Sequence, residues 1–174
     1  MEDRKTQTRR IAKGITDETC YVGLEGHNGF VPVRGDAKET PILCPFGKPG
    51  DRLWVRETIR FNPQHANYYY EADNHGCGEE IYKKLGNRPE KRLRIPSMFM
   101  PRIASRITLE VTGVRVERLQ DISHRDALAE GVEYDVSKPF GSPLERFRKL
   151  WVSINGIDSW NANPWLWRIA FRRL

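Results

Sequence analysis

Alternation of apolar and polar residues is clearest between Arg106 and Leu119, where Ile107, Leu109 and Val111 fall on one face of an extended chain. Val114 and Val116 carry the apolar set on in the other phase. The change falls at Thr112-Gly113, which predicts a β-bulge or bend there. Curvature of that kind is what a small closed barrel needs. Shorter extended patterns surround this strand. Thr19 to Leu24 and Phe30 to Val33 read as a hairpin joined by Gly26-His27-Asn28-Gly29. Arg52 to Thr58 has Leu53 and Val55 on one side and Trp54, Arg56 and Thr58 on the other. Asn67 to Glu71 is a further strand, and in the closing segment Trp165, Trp167, Ile169 and Phe171 alternate to give an aromatic face.

Two stretches change to helical spacing. Ser123-x-x-Asp126 is a variant capping box that opens a short helix, with Gly131 placed to end it. Ser142-Pro143-Leu144-Glu145 combines a cap, a proline at the first helical position and a glutamate at the third. Leu144, Phe147, Leu150, Trp151 and Ile154 then form one apolar stripe, which predicts a core-facing helix stopped at Gly156. Lys48-Pro49-Gly50-Asp51 has the chemistry of a tight turn. Asp73 to Arg88 is polar and glycine-rich and reads as a long, mobile insertion; with the residues up to Arg94 it forms a polar, basic insertion. Pro96 to Arg102 is an apolar loop held by a proline near each end, suited to plug a core or to wall a cleft. Strands at both ends with helices between them predict an α+β barrel.

Length and composition narrow the class. A chain of 174 residues is expected to form one domain with its own core. Basic residues number 29 against 23 acidic ones, a surplus that favours an anionic partner. Lys83, Lys84, Arg88, Lys91, Arg92, Arg94, Arg102 and Arg106 face Glu90 alone across one stretch, as either a solvated face or a nucleic-acid groove. Cys20, Cys44 and Cys77 are odd in number and far apart, so neither a disulfide framework nor a zinc knuckle is expected. The four histidines are scattered without metal-ligand spacing, and the expectation is no metal and no cofactor. No apolar run approaches the roughly 18–20 residues of a membrane span, and the charged N-terminus is unlike a signal peptide; the expectation is a cytoplasmic protein without a membrane partner.

The candidate chemistry centres on Lys5-Thr6-Gln7-Thr8-Arg9-Arg10, a tract with three cations, two hydroxyls and no apolar side chain. Such a tract either lies idle on a surface or grips an anion. Trp54-x-Arg56 offers a second possibility, an aromatic wall beside an anion clamp, or simply a cation-π pair on a sheet face. The three consecutive tyrosines from Tyr68 suit base stacking or, equally, sheet packing.

The opening tract, the turn and strand from Pro49 to Glu57, and the closing Asn163-Pro164-Trp165-Leu166-Trp167 together resemble the ASCH domain, and within it the phage and prophage branch. The resemblance touches nearly the whole length through three ordered motifs. It implies a PUA-like fold, a small β-barrel with flanking helices, and a cleft for RNA, a nucleotide or a nucleoside. Some members deacylate N4-acetylcytidine as amidohydrolases and others have been proposed as ribonucleases. The deacylating kind uses a Lys-x-x-Thr pair and a Glu on a short helix after a strand. Lys5, Thr8 and Glu130 take those places here, which makes them the candidate catalytic residues. Arg9, Arg10, Trp54, Arg56, Glu57 and Arg102 are the candidate substrate or nucleic-acid contacts. Amide hydrolysis needs a nucleophile, a proton acceptor and a donor to the leaving amine; Thr8 with a neutral Lys5 as base and Glu130 as shuttle fits that scheme. One geometric demand accompanies it: residues three apart on a straight strand point to opposite faces, so Lys5 and Thr8 meet only if the tract bends. Relatives carry a strand and short helix ahead of the tract, whereas four residues precede it here, so the chain is expected to be N-terminally shortened or to begin at an internal start. Three functions remain open: an RNA- or nucleotide-binding domain, a hydrolase of a modified nucleoside or RNA, and a non-catalytic phage accessory protein acting through protein contacts.

Overall fold

The computed structural model describes residues 5–23, 30–33, 41–85, 93–133 and 141–174. It contains both sheets and helices, with a sheet curled as a half-barrel, an α+β arrangement. The chain divides into two compact units, one made of Met1–Asp51 with Glu110–Arg173 and the other of Arg52–Leu109 with Leu174.

In the larger unit, β1 (Gln7–Ile11), β8 (Thr108–Arg118) and β9 (Trp165–Arg173) lie in the order β1-β9-β8. β9 therefore has a neighbour on each side, and Leu166, Trp167 and Ile169 are all buried. The aromatic face expected of this strand is only part of the pattern: Leu166, of opposite parity, is fully enclosed, because the strand is covered on both faces. In β8 the buried positions are Val111, Val114 and Glu117. The inward set thus changes phase between Val111 and Val114, at Thr112-Gly113 as the sequence pattern predicts, and changes again before Glu117. The hairpin of β2 (Cys20–Gly23) and β3 (Phe30–Val33) pairs antiparallel in register Cys20↔Val33 to Gly23↔Phe30; its connecting residues 24–29 lie outside the described ones.

Two helices close this unit. α2 (His124–Ala129) begins at the Ser123 cap, whose hydroxyl accepts from the Asp126 N–H at 3.1 Å while Asp126 accepts from the Ser123 hydroxyl at 2.7 Å. α3 (Pro143–Asn155) starts with the Ser142–Glu145 box and ends at Gly156, whose φ of 97° suits glycine. Its apolar stripe is narrower in the fold than in the sequence. Phe147 and Trp151 pack with Leu119, Ile122, Ala127 and Leu166, whereas Leu150 and Ile154 remain exposed.

The smaller unit has its own core. β5 (Ile59–Asn62) pairs with both β6 (Asn67–Tyr70) and the short β7 (Arg94–Ile95). Within it Ile59, Tyr68, Tyr70, Ile95, Met100 and Ala104 are enclosed. Tyr68 and Tyr70 are therefore packing residues, as strand alternation places them on one face. β4 (Arg52–Trp54) is shorter than the pattern from Arg52 to Thr58 implied; the chain next to it continues with the Val55 N–H donating to the Ile107 carbonyl at 3.0 Å. The insertion expected to be polar and mobile differs most from expectation. Glu79–Leu85 forms α1, Ile81 and Cys77 enter the core, and Tyr82 and Leu85 pack against it. Residues Ile81, Tyr82 and Leu85 share one helix face, and Glu79, Glu80, Lys83 and Lys84 are ordered to complement the helix dipole. Residues 86–92 of that stretch lie outside the described ones. The proline-held loop plugs the core through Met100, while Met98 and Phe99 are exposed, at 67% and 70%.

Candidate functional site

Register decides which residues of the opening tract act together. β1 pairs with β9 antiparallel, with Gln7 opposite Ala170, Thr8 opposite Ile169 and Arg9 opposite Arg168. Side chains alternate, so Lys5, Gln7 and Arg9 share one face and Thr8 and Arg10 the other. Lys5 lies just before the strand and makes an antiparallel bridge to Glu130, and the Thr6 N–H donates to the Ala129 carbonyl at 2.9 Å. The tract is thereby stitched to the C-terminal end of α2 on the face that carries Lys5.

That face holds a compact ion network. Lys5 Nζ donates to the Glu130 carbonyl at 3.0 Å and to Glu130 Oε2 at 3.2 Å. Arg9 is enclosed, its Nη1 donating to Glu130 Oε1 at 3.0 Å and its Nε to Glu117 Oε1 at 2.7 Å. Its Nη2 lies 2.6 Å from the same Glu117 oxygen, off the line of its N–H, so that contact is an ion pair and not a third well-aligned hydrogen bond. Arg115 holds the other Glu117 oxygen at 2.8 Å. Gln7 donates to the Asp126 carbonyl at 2.6 Å, and Arg168 to Asp126 Oδ1 at 3.1 Å. Burial works to raise the Asp126 pKa, but the Ser123 and Gln7 hydrogen bonds and the Arg168 and Arg9 charges outweigh it and hold the carboxyl at about 2.

Glu130 ends a helix, where its charge opposes the dipole. Lys5 and Arg9 compensate, and Lys5 also satisfies the Glu130 carbonyl at that helix end. Gly131 makes the junction possible on two counts: its φ is 84°, and a Cβ there would lie 3.0 Å from the Lys5 Cβ.

Beside the network opens a groove of about 450 Å³ whose lining includes Gln7, Thr112, Arg115, Arg125, Asp126 and Arg168. Arg125 is exposed and makes no ion pair among the described residues. The groove thus presents guanidinium groups with one carboxylate set among them, a surface able to hold an anion and to hydrogen-bond a polar ring edge.

The structure places the expected site residues unequally. Lys5 and Glu130 are in direct contact. Thr8 is on the opposite face of the strand, with Ile169 across from it, and the bend that would bring its hydroxyl to Lys5 is not present. Arg9, a candidate substrate or nucleic-acid contact, is turned inward and committed to carboxylates, because its parity on the strand matches that of Lys5 and Gln7. Arg10 is exposed and donates to the Arg9 carbonyl at 3.2 Å. In the smaller unit, Arg56 lies 4.7 Å and Arg102 5.6 Å from the Trp54 ring centre. Glu57 is held there by Arg106 in a two-pronged pair at 2.9 and 2.6 Å, so it fixes structure instead of facing a ligand. Gln7, Arg115, Arg125, Asp126 and Arg168 belong to the groove and are not among the site residues expected from the sequence. The parity of Gln7 with Lys5 is a signal that could have found one of them; the others meet only through the fold.

Comparison of the chain with family models, with curated proteins and with solved structures returns no match. Among the described residues no helix is long and apolar enough to cross a membrane.

Proposed function

We propose that this protein is a cytoplasmic RNA- or nucleotide-binding domain of the ASCH kind, built as a PUA-like barrel and related to the phage and prophage branch. The observation that carries this reading is the groove between β1, β8, β9 and α2 beside the Lys5–Glu130 contact, where Arg125 is left without an ion pair among the described residues while Glu117 and Asp126 hold Arg115 and Arg168 in place next to it. A nucleotide offers what the groove complements: a phosphate for Arg125, whose charge is not taken up by a carboxylate among the described residues, and a polar base edge for Asp126. The buried Arg9 network keeps the groove wall rigid and so limits the ordering cost of binding.

The test is RNA affinity as a function of salt. Binding should weaken as salt rises, and Arg125→Glu should reduce it at least tenfold without altering thermal stability. Undetectable binding of any RNA or nucleotide at low salt would overturn the reading.

The Lys5–Glu130 contact favours a second reading, hydrolysis of an N4-acylated cytidine. In this geometry a water would attack the acyl carbon, giving its proton to the Lys5–Glu130 pair, which would pass it to the departing cytidine amine as the amide C–N bond breaks, and Thr8 stands apart from them. Deacylation measured for wild type, Thr8→Ala and Glu130→Gln should then show loss in the glutamate variant and little change in the threonine one. Equal rates in all three would remove Glu130 from any chemistry.

A further inference from the structure

The smaller unit contains two populations of arginine. Arg60 and Arg94 pair with Glu71, and Arg106 pairs with Glu57 and Asp73. Arg52, Arg56 and Arg102 are exposed and pair with no carboxylate among the described residues, and two of them, Arg56 and Arg102, share one aromatic neighbour. These two are nevertheless held in place. Both guanidiniums lie within cation-π range of the Trp54 indole, and Arg56 Nη1 also donates to the Met98 carbonyl at 3.1 Å.

That hydrogen bond ties the Arg56 guanidinium to the loop that carries Met98 and Phe99. The loop is stiff: Pro96 precedes the short 3-10 turn Ser97–Phe99, Pro101 precedes the next, and Met100 between them is anchored in the core. Phe99 is thus 70% exposed on a stretch of backbone held on both sides. Two braced, uncompensated guanidiniums next to an exposed aromatic ring and a polarizable thioether form a combination of phosphate and base contacts.

We infer that this surface binds single-stranded RNA, with phosphates at Arg56 and Arg102 and unpaired bases against Phe99 and Met98. The choice of RNA rests on the proposed function, which it deepens by naming the form of the substrate. Trp54 is a positioning residue, since its ring already carries both guanidiniums. A duplex offers phosphates to the two arginines but no free base face to Phe99, so single strands are preferred. An anionic membrane would need a broader basic surface than the two arginines braced on Trp54 supply among the described residues, and it is made an explicit alternative in the test.

The experiment measures binding of a labelled mixed-sequence single-stranded RNA, of the same sequence as a blunt duplex, and of anionic phosphatidylserine vesicles. The proteins are wild type, Phe99→Ala, Phe99→Trp, Arg56→Ala/Arg102→Ala and Arg125→Glu. Phe99→Ala should weaken single-strand binding roughly tenfold while leaving duplex binding unchanged, and Phe99→Trp should restore it. The double arginine variant should weaken both RNA forms. If wild type binds RNA and Arg125→Glu weakens it, while Phe99→Ala and the arginine pair bind as wild type, the inference is overturned and the groove reading stands. Binding of vesicles that depends on Phe99, with RNA affinity independent of it, overturns the inference as well. Failure of wild type to bind any RNA removes both readings together.

Discussion

Arg9 and the pair Arg56 and Arg102 are the same residue type in opposite situations. Arg9 is enclosed and surrounded by Glu117, Glu130 and Asp126, at 2.6, 3.0 and 3.7 Å. Arg56 and Arg102 are exposed, held by an indole and a carbonyl, and left with their charge uncompensated. A surplus of basic residues therefore says little by itself about where an anion binds. Cations consumed by buried carboxylates fix geometry; cations braced by neutral groups keep their charge for a ligand. Removing the first kind should unfold, and removing the second should only weaken binding.

The largest effect on stability is expected at the centre of the buried network. Arg9→Ala leaves Glu117 and Glu130 without their main partner and should cost about 3–5 kcal/mol, read from the midpoint of chemical denaturation. A loss below 1 kcal/mol would mean that the carboxylates find water or that the network is weak. Gly131→Ala comes next, because it forces a side chain into left-handed backbone and toward the Lys5 Cβ; the expected cost is about 1–2 kcal/mol.

Acid sensitivity gives a smaller, directional effect. The Asp126 carboxyl is lowered to about 2 from its usual 3.8, so the folded state binds fewer protons there than the unfolded one. Its contribution is complete above the usual value and is lost as pH falls through about 2. Stability measured across that window should fall less steeply in Asp126→Asn than in wild type. The same slope in both would place the acid response elsewhere. Smallest is the change in stability for Arg56→Ala/Arg102→Ala, expected to stay within about 0.5 kcal/mol by thermal unfolding because neither group is buried.

Features set by neighbours in the chain were legible in the sequence. Both capping boxes, the hairpin register-forming strands, the turn at Lys48 to Asp51 and the phase change at Thr112-Gly113 follow from local spacing and residue type. Features set by distant partners were not. α1 is short and densely charged, and only the core that receives Ile81 reveals its apolar face. The inward turn of Arg9 depends on Glu117 and Glu130, more than one hundred positions away, as their hydrogen bonds show. Strand parity did hold the answer for Thr8: once β1 pairs regularly with β9, Lys5 and Thr8 part to opposite faces. Lys5 and Glu130, both nominated from the sequence, do meet, whereas Arg115, Arg125 and Arg168 were hidden among 29 basic residues until the fold gathered them.

The contrast between consumed and available cations is tested most directly by the salt dependence of single-stranded RNA binding, compared between wild type and Arg56→Ala/Arg102→Ala. Loss of two phosphate contacts should make the slope of log affinity against log salt shallower by about 1.4, with weaker binding at low salt. Identical slopes and affinities in the two proteins would contradict the assignment of these arginines to phosphate.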